Sequence, residues 1–299
     1  MTSSPGAATR GPDLEIPAGL DATILLLRHG ETEYIVDNRF QGQHETPLTE
    51  LGRRQAMLAG ARLADPARPP ALPVPGGLPA VIVHSPLRRT TETAELVRDA
   101  LAGAADASEP PEAGATWVRP ADGGAPQLRP DQGFREIGQG AWEGLRQDEI
   151  VSRFGSELAA WRRDPVHAWA PGGESIVAVQ DRAAASLSTL LAELAGGREP
   201  GSLDRPQVPG YAGAGQAAGV PWAVIVGHDG VFKVALLTLL GLPLERFWSF
   251  PFALAGISVA EIRGGRPALR AHNLVDHLAP LADASAARET EVRQRLGAL

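Results

Sequence analysis

Short apolar runs, each bounded by polar or small residues, recur along the chain. They are too short for helices and rich in Val, Ile and Leu, which is typical of buried strands. They predict strands at residues 24–27, 80–83 and 222–226. Two further strands are expected at residues 257–262 and 268–271.

Segments with a helical pattern lie between these strands. One opens at Thr49, a suitable N-cap, and runs to about residue 64. The others are expected at residues 87–101, 147–154, 157–163, 175–195 and 231–240. Strands that alternate with helices indicate an α/β fold with a mostly parallel sheet and helices on both faces, a three-layer sandwich.

The chain is expected to form one domain at residues 21–280. Residues 1–20 are polar, with Gly and Pro, and are predicted to be a flexible tail. Two stretches rich in Ala, Gly and Pro, near 102–126 and 196–219, are predicted to be insertions in this domain, since the last long strand completes the sheet begun by the first. Residues 281–299 are expected to form a terminal helix.

Composition narrows the class of protein. The formal net charge of −7 argues against general nucleic-acid binding. No apolar run reaches 18 residues, and the first 20 residues lack the pattern of a signal peptide, so no membrane segment and a cytoplasmic location are expected. The absence of cysteine excludes disulfides and thiolate metal sites.

Each of the three apolar strands is followed or ended by a histidine: His29, His84 and His228. Parallel strands end at the same sheet edge, and ligands of open α/β sheets bind beyond the carboxyl ends, so a pocket containing two or three imidazoles is expected. The alternative is that each histidine has an independent structural role, and this is the prediction for His84.

Arginines accompany the same junctions. Arg28 adjoins the first histidine, Arg39 lies in the loop that follows, and Arg88 and Arg89 begin the helix after the second histidine. Guanidinium groups bind phosphate oxygens in pairs, and a helix N-terminus offers free N–H groups. Together these groups predict a dianion site, although each arginine alone has the alternative of a solvated surface charge.

Several motifs, in order and over most of residues 22–279, resemble the histidine phosphatase superfamily, whose fold is phosphoglycerate mutase-like. Several ordered motifs together are far more specific than one. They are Arg28-His29-Gly30-Glu31-Thr32, Arg39-Phe40-Gln41-Gly42, Pro47-Leu48-Thr49-Glu50-Leu51-Gly52, Ser85-Pro86-Leu87-Arg88-Arg89-Thr90-Thr91-Glu92-Thr93-Ala94, Arg135-Glu136-Ile137-Gly138, Trp142-Glu143-Gly144, Gly172-Gly173-Glu174-Ser175 and Gly227-His228.

The resemblance implies the roles of the site residues. It makes His29 the nucleophile that forms a phosphohistidine, and Glu136 the acid and base. Arg28, Arg89 and His228 would hold the phosphoryl oxygens. It also places Arg39 near the phosphate pocket, and implies a reaction without metal or cofactor.

Three positions depart from the family pattern. Ile35 stands where an Asn commonly contacts the phosphoryl group, so that contact is lost or supplied elsewhere in the loop that holds Asn38, Gln41 and Gly42. Asp229 stands where Gly is usual, and is expected either to keep His228 protonated or to repel anionic substrates. His84 replaces a small hydroxyl residue.

The leading hypothesis is a phosphatase acting on a small phosphorylated metabolite, because residues 135–144 resemble the phosphatase branch of the family. A cofactor-dependent phosphoglycerate mutase, a non-catalytic phosphate-binding module and a metallophosphatase are the alternatives. Specificity is expected from the loop after Arg39, from a helical segment at residues 146–170 with Trp161 and Trp169, and from the insertion at 102–126. The alternative for the two tryptophans is packing in the core. Residues 247–252 are either core or a surface for a homodimer.

Overall fold

The computed structural model describes residues 14–107, 124–196 and 219–282. Six strands form one sheet in the order β3-β2-β4-β1-β5-β6. The strands are β1 (Ala22–Arg28), β2 (Val81–His84), β3 (Leu128–Pro130), β4 (Trp222–Gly227), β5 (Ile257–Arg263) and β6 (Arg266–Leu274).

Four neighbouring strands of the sheet are parallel, as predicted. β1 pairs with β4, β4 with β2 and β2 with β3 in parallel, whereas β5 and β6 add an antiparallel hairpin beside β1. The short strand β3 was not predicted, because three residues that are only partly buried give no apolar run.

Six α-helices accompany the sheet in the part of the chain that the structure describes. They are α1 (Glu33–Val36), α2 (Glu50–Ala64), α3 (Arg88–Ala107), α4 (Gln147–Arg163), α5 (Ile176–Gly196) and α6 (Asp229–Leu239). As expected, the Thr49 hydroxyl caps α2 by accepting the Gly52 N–H.

Two cores confirm the three-layer sandwich. Side chains alternate along a strand, so Ile24 and Leu26 pack with α5 and α6 on one face of the sheet. Leu25 and Leu27 pack with α2 and α3 on the other. A third, smaller cluster joins Trp142 to Ile150 and Leu158 of α4.

Several predicted boundaries need correction. α3 continues to Ala107, inside the predicted insertion at 102–126, and the two helices expected at 147–154 and 157–163 form α4, with non-helical backbone at Phe154 (φ −137°). α4 ends at Arg163, so the predicted segment 146–170 is helical only in part.

The predicted tail at residues 1–20 is also too long. Leu14 and Ile16 pack against the core, and Leu20 is buried. Residues 1–13, most of both predicted insertions, and 283–299 of the predicted terminal helix lie outside the described residues. Among the helices that are described, none is both long and apolar enough to cross a membrane.

Candidate active site

The carboxyl ends of β1, β2 and β4 bring two of the three histidines together. Arg28 is paired with Gly227 in the β1–β4 register, so the residues that follow, His29 and His228, lie side by side. Their ring centroids are 5.2 Å apart, and both residues are buried.

His84 does not join them. Its Nδ1 lies 2.8 Å from the Ser85 carbonyl and 3.4 Å from the Thr91 hydroxyl on α3, which is the structural role predicted for it. The next residue, Ser85, takes the position beside His228, with Oγ 2.8 Å from His228 Nε2. Sequence reasoning missed Ser85, although it belongs to a recognised motif.

The contacts of His29 determine its protonation. Its Nδ1 lies 2.6 Å from the Gly30 carbonyl oxygen, which only accepts hydrogen bonds, so Nδ1 carries the hydrogen and Nε2 has a free lone pair. Burial and then the positive charges of Arg89 and Arg28 lower the pKa of His29 well below its usual value. The ring is therefore neutral at neutral pH.

His228 is held in the opposite tautomer. Arg89 Nε donates to His228 Nδ1 over 3.2 Å, so the hydrogen is on Nε2, which faces the Ser85 hydroxyl. Burial and then the positive charges of Arg89 and Arg28 lower the pKa of His228 well below its usual value. The expectation that Asp229 keeps His228 protonated is therefore wrong.

Arg89 connects the strand ends to the loop after β1. It is 1 % exposed, and its terminal nitrogens donate to the carbonyls of His44 and Gly42, each over 2.8 Å. Burial lowers the pKa of Arg89 to about 10, so the guanidinium remains charged at neutral pH. Because Arg89 Nε donates to His228 and each terminal nitrogen uses one N–H on a carbonyl, each terminal nitrogen keeps one N–H for another ligand.

Gly42 has a conformational reason to be glycine. Its φ is +50°, and a Cβ there would lie 2.1 Å from the Glu143 carboxylate. That carboxylate accepts the N–H groups of Gln43 and Gln139, both over 2.9 Å. Glu143 thus fixes the loop whose carbonyls orient Arg89, a role that sequence reasoning did not assign.

The Glu136 carboxylate lies at the N-terminus of α6, the helix that begins directly after His228. Its carboxylate accepts the N–H groups of Ile137, Val231 and Gly230 over 2.8, 3.0 and 3.2 Å. Its charge is also among those that act on Arg89. Glu136 therefore lies with His228 and Arg89 near the carboxyl ends of the strands, as its motif predicts.

A second network holds the backbone of Glu136. Gln43 Nε2 and Arg182 Nη2 donate to its carbonyl over 2.9 and 3.1 Å. Both also donate to Glu174 Oε2, over 3.0 Å each, and this oxygen accepts the Gly138 N–H over 2.7 Å. Glu174 belongs to a recognised motif, but its position around Glu136 was not predicted.

Two predicted binding residues have other partners, and a third lies at the surface. Arg39 Nη1 donates to the Gly144 carbonyl over 2.6 Å and braces the loop. The Gln41 side-chain oxygen accepts the hydroxyls of Thr32 and Thr46. Asn38 is exposed and lines an open surface groove with residues of the α4 N-terminus.

Asp229, Trp161 and Trp169 are the remaining residues that were predicted to contact substrate. Asp229 forms an ion pair with Lys233, with 2.6 Å between Asp229 Oδ2 and Lys233 Nζ. Trp161 packs against Trp142 and Trp248, whereas Trp169 is 44 % exposed. Of the two tryptophans in the predicted specificity segment, only Trp169 is therefore exposed enough to contact a ligand readily.

Comparison of the sequence with protein families shows which family the chain belongs to. The model of the histidine phosphatase superfamily (branch 1) matches residues 24–109, 116–199 and 214–275. The chain belongs to the histidine phosphatase superfamily. The recognised motifs and the phosphoglycerate mutase-like fold are those of this superfamily.

Known members resemble the chain over most of its length. The glucosyl-3-phosphoglycerate phosphatase of Mycobacterium tuberculosis is 32% identical over 243 residues, covering 81% of this chain and 85% of that protein. The native structure of a mycobacterial glucosyl-3-phosphoglycerate phosphatase has a TM-score of 0.60 at 28% identity, covering 85% of this chain and 100% of that one. A probable phosphoglycerate mutase, GpmB of Salmonella choleraesuis, is 30% identical over 181 residues, covering 59% of this chain and 66% of that protein.

Proposed function

We propose that this chain is a phosphatase that hydrolyses small phosphomonoesters through a phosphohistidine formed on His29. The observation that carries the proposal is the state of His29, a buried neutral imidazole with Nδ1 tied to the Gly30 carbonyl and Nε2 free. Transfer of a phosphoryl group to the enzyme needs a nucleophilic atom with such a free lone pair.

The neighbouring cations fit the other demands of phosphoryl transfer. Arg28 and Arg89 act on His29 through their charges, and both keep N–H groups for phosphoryl oxygens. Positioned cations and positioned N–H groups stabilise the charge on the transferring group. His228 contributes the Nε2–H that now faces Ser85.

The first step transfers the phosphoryl group to the enzyme. His29 Nε2 attacks phosphorus, the N–P bond forms, and the P–O ester bond breaks. In the substrate complex Glu136 carries a proton, taken up as the phosphate dianion binds, and gives it to the leaving alkoxide, which departs as the alcohol.

The second step restores the enzyme. The Glu136 carboxylate takes a proton from water, whose oxygen attacks phosphorus, and the N–P bond breaks. Inorganic phosphate leaves, His29 is again neutral, and Glu136 is again protonated.

A panel of phosphomonoesters tests the proposal. It contains glucosyl-3-phosphoglycerate, because a relative at 32% identity is named for that substrate, together with 3-phosphoglycerate and p-nitrophenyl phosphate. The wild type is expected to release phosphate from at least one of them, and His29→Ala is expected to lose activity by about 10⁴-fold or more, since nucleophile removal costs up to about 10⁶ in rate.

His167→Ala is the matched control, because the His167 side chain is 72% exposed and its ring pairs with Asp164, away from the strand ends. It is expected to keep wild-type activity. Acid-labile phosphate on the wild-type protein, absent from His29→Ala, identifies the phosphohistidine. Retention of activity by His29→Ala would exclude the mechanism.

A phosphoglycerate mutase is the second candidate, because the partial match to GpmB favours it. A mutase uses the same phosphohistidine but returns the phosphoryl group to the substrate. Incubation with 3-phosphoglycerate separates the two: release of phosphate without 2-phosphoglycerate supports the phosphatase, and interconversion supports the mutase.

A homodimer and a cytoplasmic location remain predictions. Phe247 and Phe252 of the apolar segment are buried in the core, and Trp248 is 44 % exposed. Light scattering of the purified protein measures the assembly, and a monomeric mass would exclude the homodimer.

A further inference from the structure

The only lysine of the chain, Lys233, lies inside the apolar helix α6. Its side chain is 8% exposed, and Nζ is 2.6 Å from Asp229 Oδ2. The same Nζ lies 5.3 Å from the Phe247 ring centroid and 5.1 Å from that of Trp248. A surface pair at this i, i+4 spacing contributes little, but this cation is enclosed, and Asp229 is its anionic partner.

Asp229 does not serve as a cap of its own helix. The N–H groups of Gly230 and Val231, at the start of α6, donate to Glu136. The second oxygen of Asp229, Oδ1, instead accepts the N–H of Phe252 over 3.1 Å. Asp229 therefore ties α6 to the loop that precedes β5.

Phe252 in turn connects Asp229 to Arg28. The Phe252 carbonyl accepts a hydrogen bond from Arg28 Nη1 over 2.5 Å. The peptide group that contains this carbonyl is also fixed by Asn273, whose Oδ1 accepts the Ala253 N–H over 2.6 Å. Phe252 is thus held on both sides, by Asp229 before it and by Asn273 after it.

We propose that Asp229 and Lys233 are positioning residues that orient the Arg28 guanidinium through Phe252, and that Lys233 neutralises Asp229 so that a phosphate dianion can bind beside it. This inference rests on the proposed function, because it assigns Arg28 to the phosphoryl oxygens. It also explains how an acid is accommodated immediately after His228, where a negative charge without a partner repels an anionic substrate.

Three variants separate the effect of the Asp229 charge from that of its hydrogen bond to Phe252, and a fourth is the control. Lys233→Met leaves Asp229 without its partner, and is expected to raise KM for a phosphomonoester about tenfold with a smaller change in kcat. The double variant D229N/K233M removes both charges but keeps an oxygen that accepts the Phe252 N–H. The double variant D229A/K233M removes both charges and that acceptor.

The comparison of the two double variants is the decisive measurement. D229N/K233M is expected to have a lower KM than Lys233→Met, and a kcat/KM about tenfold higher than D229A/K233M, because hydrogen bonds that position a charged group have effects of this size. The fourth variant, R129M/E193Q, removes an ion pair on the surface and is expected to keep wild-type kinetics. Equal kcat/KM for the two double variants would overturn the positioning role.

The inhibition constant of inorganic phosphate distinguishes this proposal from the proposed function. A wild type that hydrolyses no phosphomonoester contradicts the function itself. An active wild type whose phosphate inhibition constant is the same in Lys233→Met contradicts only the role of the pair.

The two double variants also cover the case in which Lys233→Met fails to fold, because neither leaves one charge of the pair without its partner. Their comparison with each other then decides the positioning role.

Discussion

The rings of His29 and His228 meet edge to face, with centroids 5.2 Å apart and planes inclined by 61°. The in-register pairing of β1 with β4 places them there. A proton on either ring would put a buried positive charge beside the guanidinium groups of Arg28 and Arg89. The neutral state of both rings is therefore part of the folded structure.

The free energy of unfolding is expected to fall as the pH is lowered from 7.5 to 5.5. The pKa values of His29 and His228 are lower in the folded state than in the unfolded chain. Below pH 6.5 the unfolded state therefore binds more protons, and the stability that is present above this pH is lost. Each histidine contributes up to about 1.4 kcal/mol to the loss between these two pH values.

Urea unfolding at the two pH values measures this dependence. His29→Gln is expected to reduce the loss, because glutamine takes up no proton. His167→Gln is the control, since His167 is exposed, and its loss should match that of the wild type. An unchanged loss in His29→Gln would contradict the prediction.

Arg89→Lys is expected to lower kcat/KM by about 10²–10³-fold. A lysine cannot reach His228, Gly42 and His44 at once, and removal of one oriented donor to a developing charge costs about that factor. Arg88→Lys is the adjacent control, because the Arg88 side chain is 61% exposed and its guanidinium pairs with Glu92. Steady-state kinetics of both variants measure the difference, and equal losses would contradict the assignment.

Gly230→Ala is expected to lower kcat more than it raises KM. A Cβ at this position would lie 2.6 Å from Glu136 Oε1 and 2.8 Å from Ile137 Cδ1, so the carboxylate has to move. Phosphate binding by the arginines is less affected, because the hydrogen bonds that hold Arg28 and Arg89 do not involve Glu136. Inhibition by inorganic phosphate measures that binding separately.

Gly103→Ala is the matched control for this substitution. Gly103 lies in α3, and a Cβ added there would meet none of the described residues within 4 Å. Alanine there is expected to raise stability by about 0.5–1 kcal/mol without changing the kinetics. A kcat of wild-type size in Gly230→Ala would show that the Glu136 carboxylate need not be where the structure places it.

Glu174→Gln is expected to reduce both stability and kcat. The Glu174 carboxylate accepts from Gly138, Gln43 and Arg182, and the last two also hold the Glu136 carbonyl. Loss of hydrogen bonds to a charged group is expected to destabilise the fold by about 1–3 kcal/mol. Thermal unfolding and steady-state kinetics measure the two effects.

Glu193→Gln provides the comparison, since Glu193 pairs with Arg129 on the surface. Exposed ion pairs contribute only about 0–1 kcal/mol, so this variant is expected to unfold close to the wild type. The same destabilisation in both variants would show that the Glu174 network has no special role.

The sequence by itself determined the centre of the sheet, because β1, β2 and β4 are buried and form continuous apolar runs. It did not reveal β3, which is only partly buried. It also determined the core of the site. His29 and His228 end two of these runs, and parallel strands end at one edge. Glu136 and Arg89 came from ordered motifs, since neither has an apolar pattern that marks it.

Only the tertiary structure decided which neighbours each site residue has. Whether Arg39 faces the phosphate or Gly144, whether Ser85 or His84 stands beside His228, and whether Asp229 is free or paired depend on contacts between segments far apart in sequence. Periodicity reports which face of a strand or helix is buried, but not what lies opposite it. The Asp229–Lys233 pair and its link to Arg28 through Phe252 therefore emerge only from the folded chain.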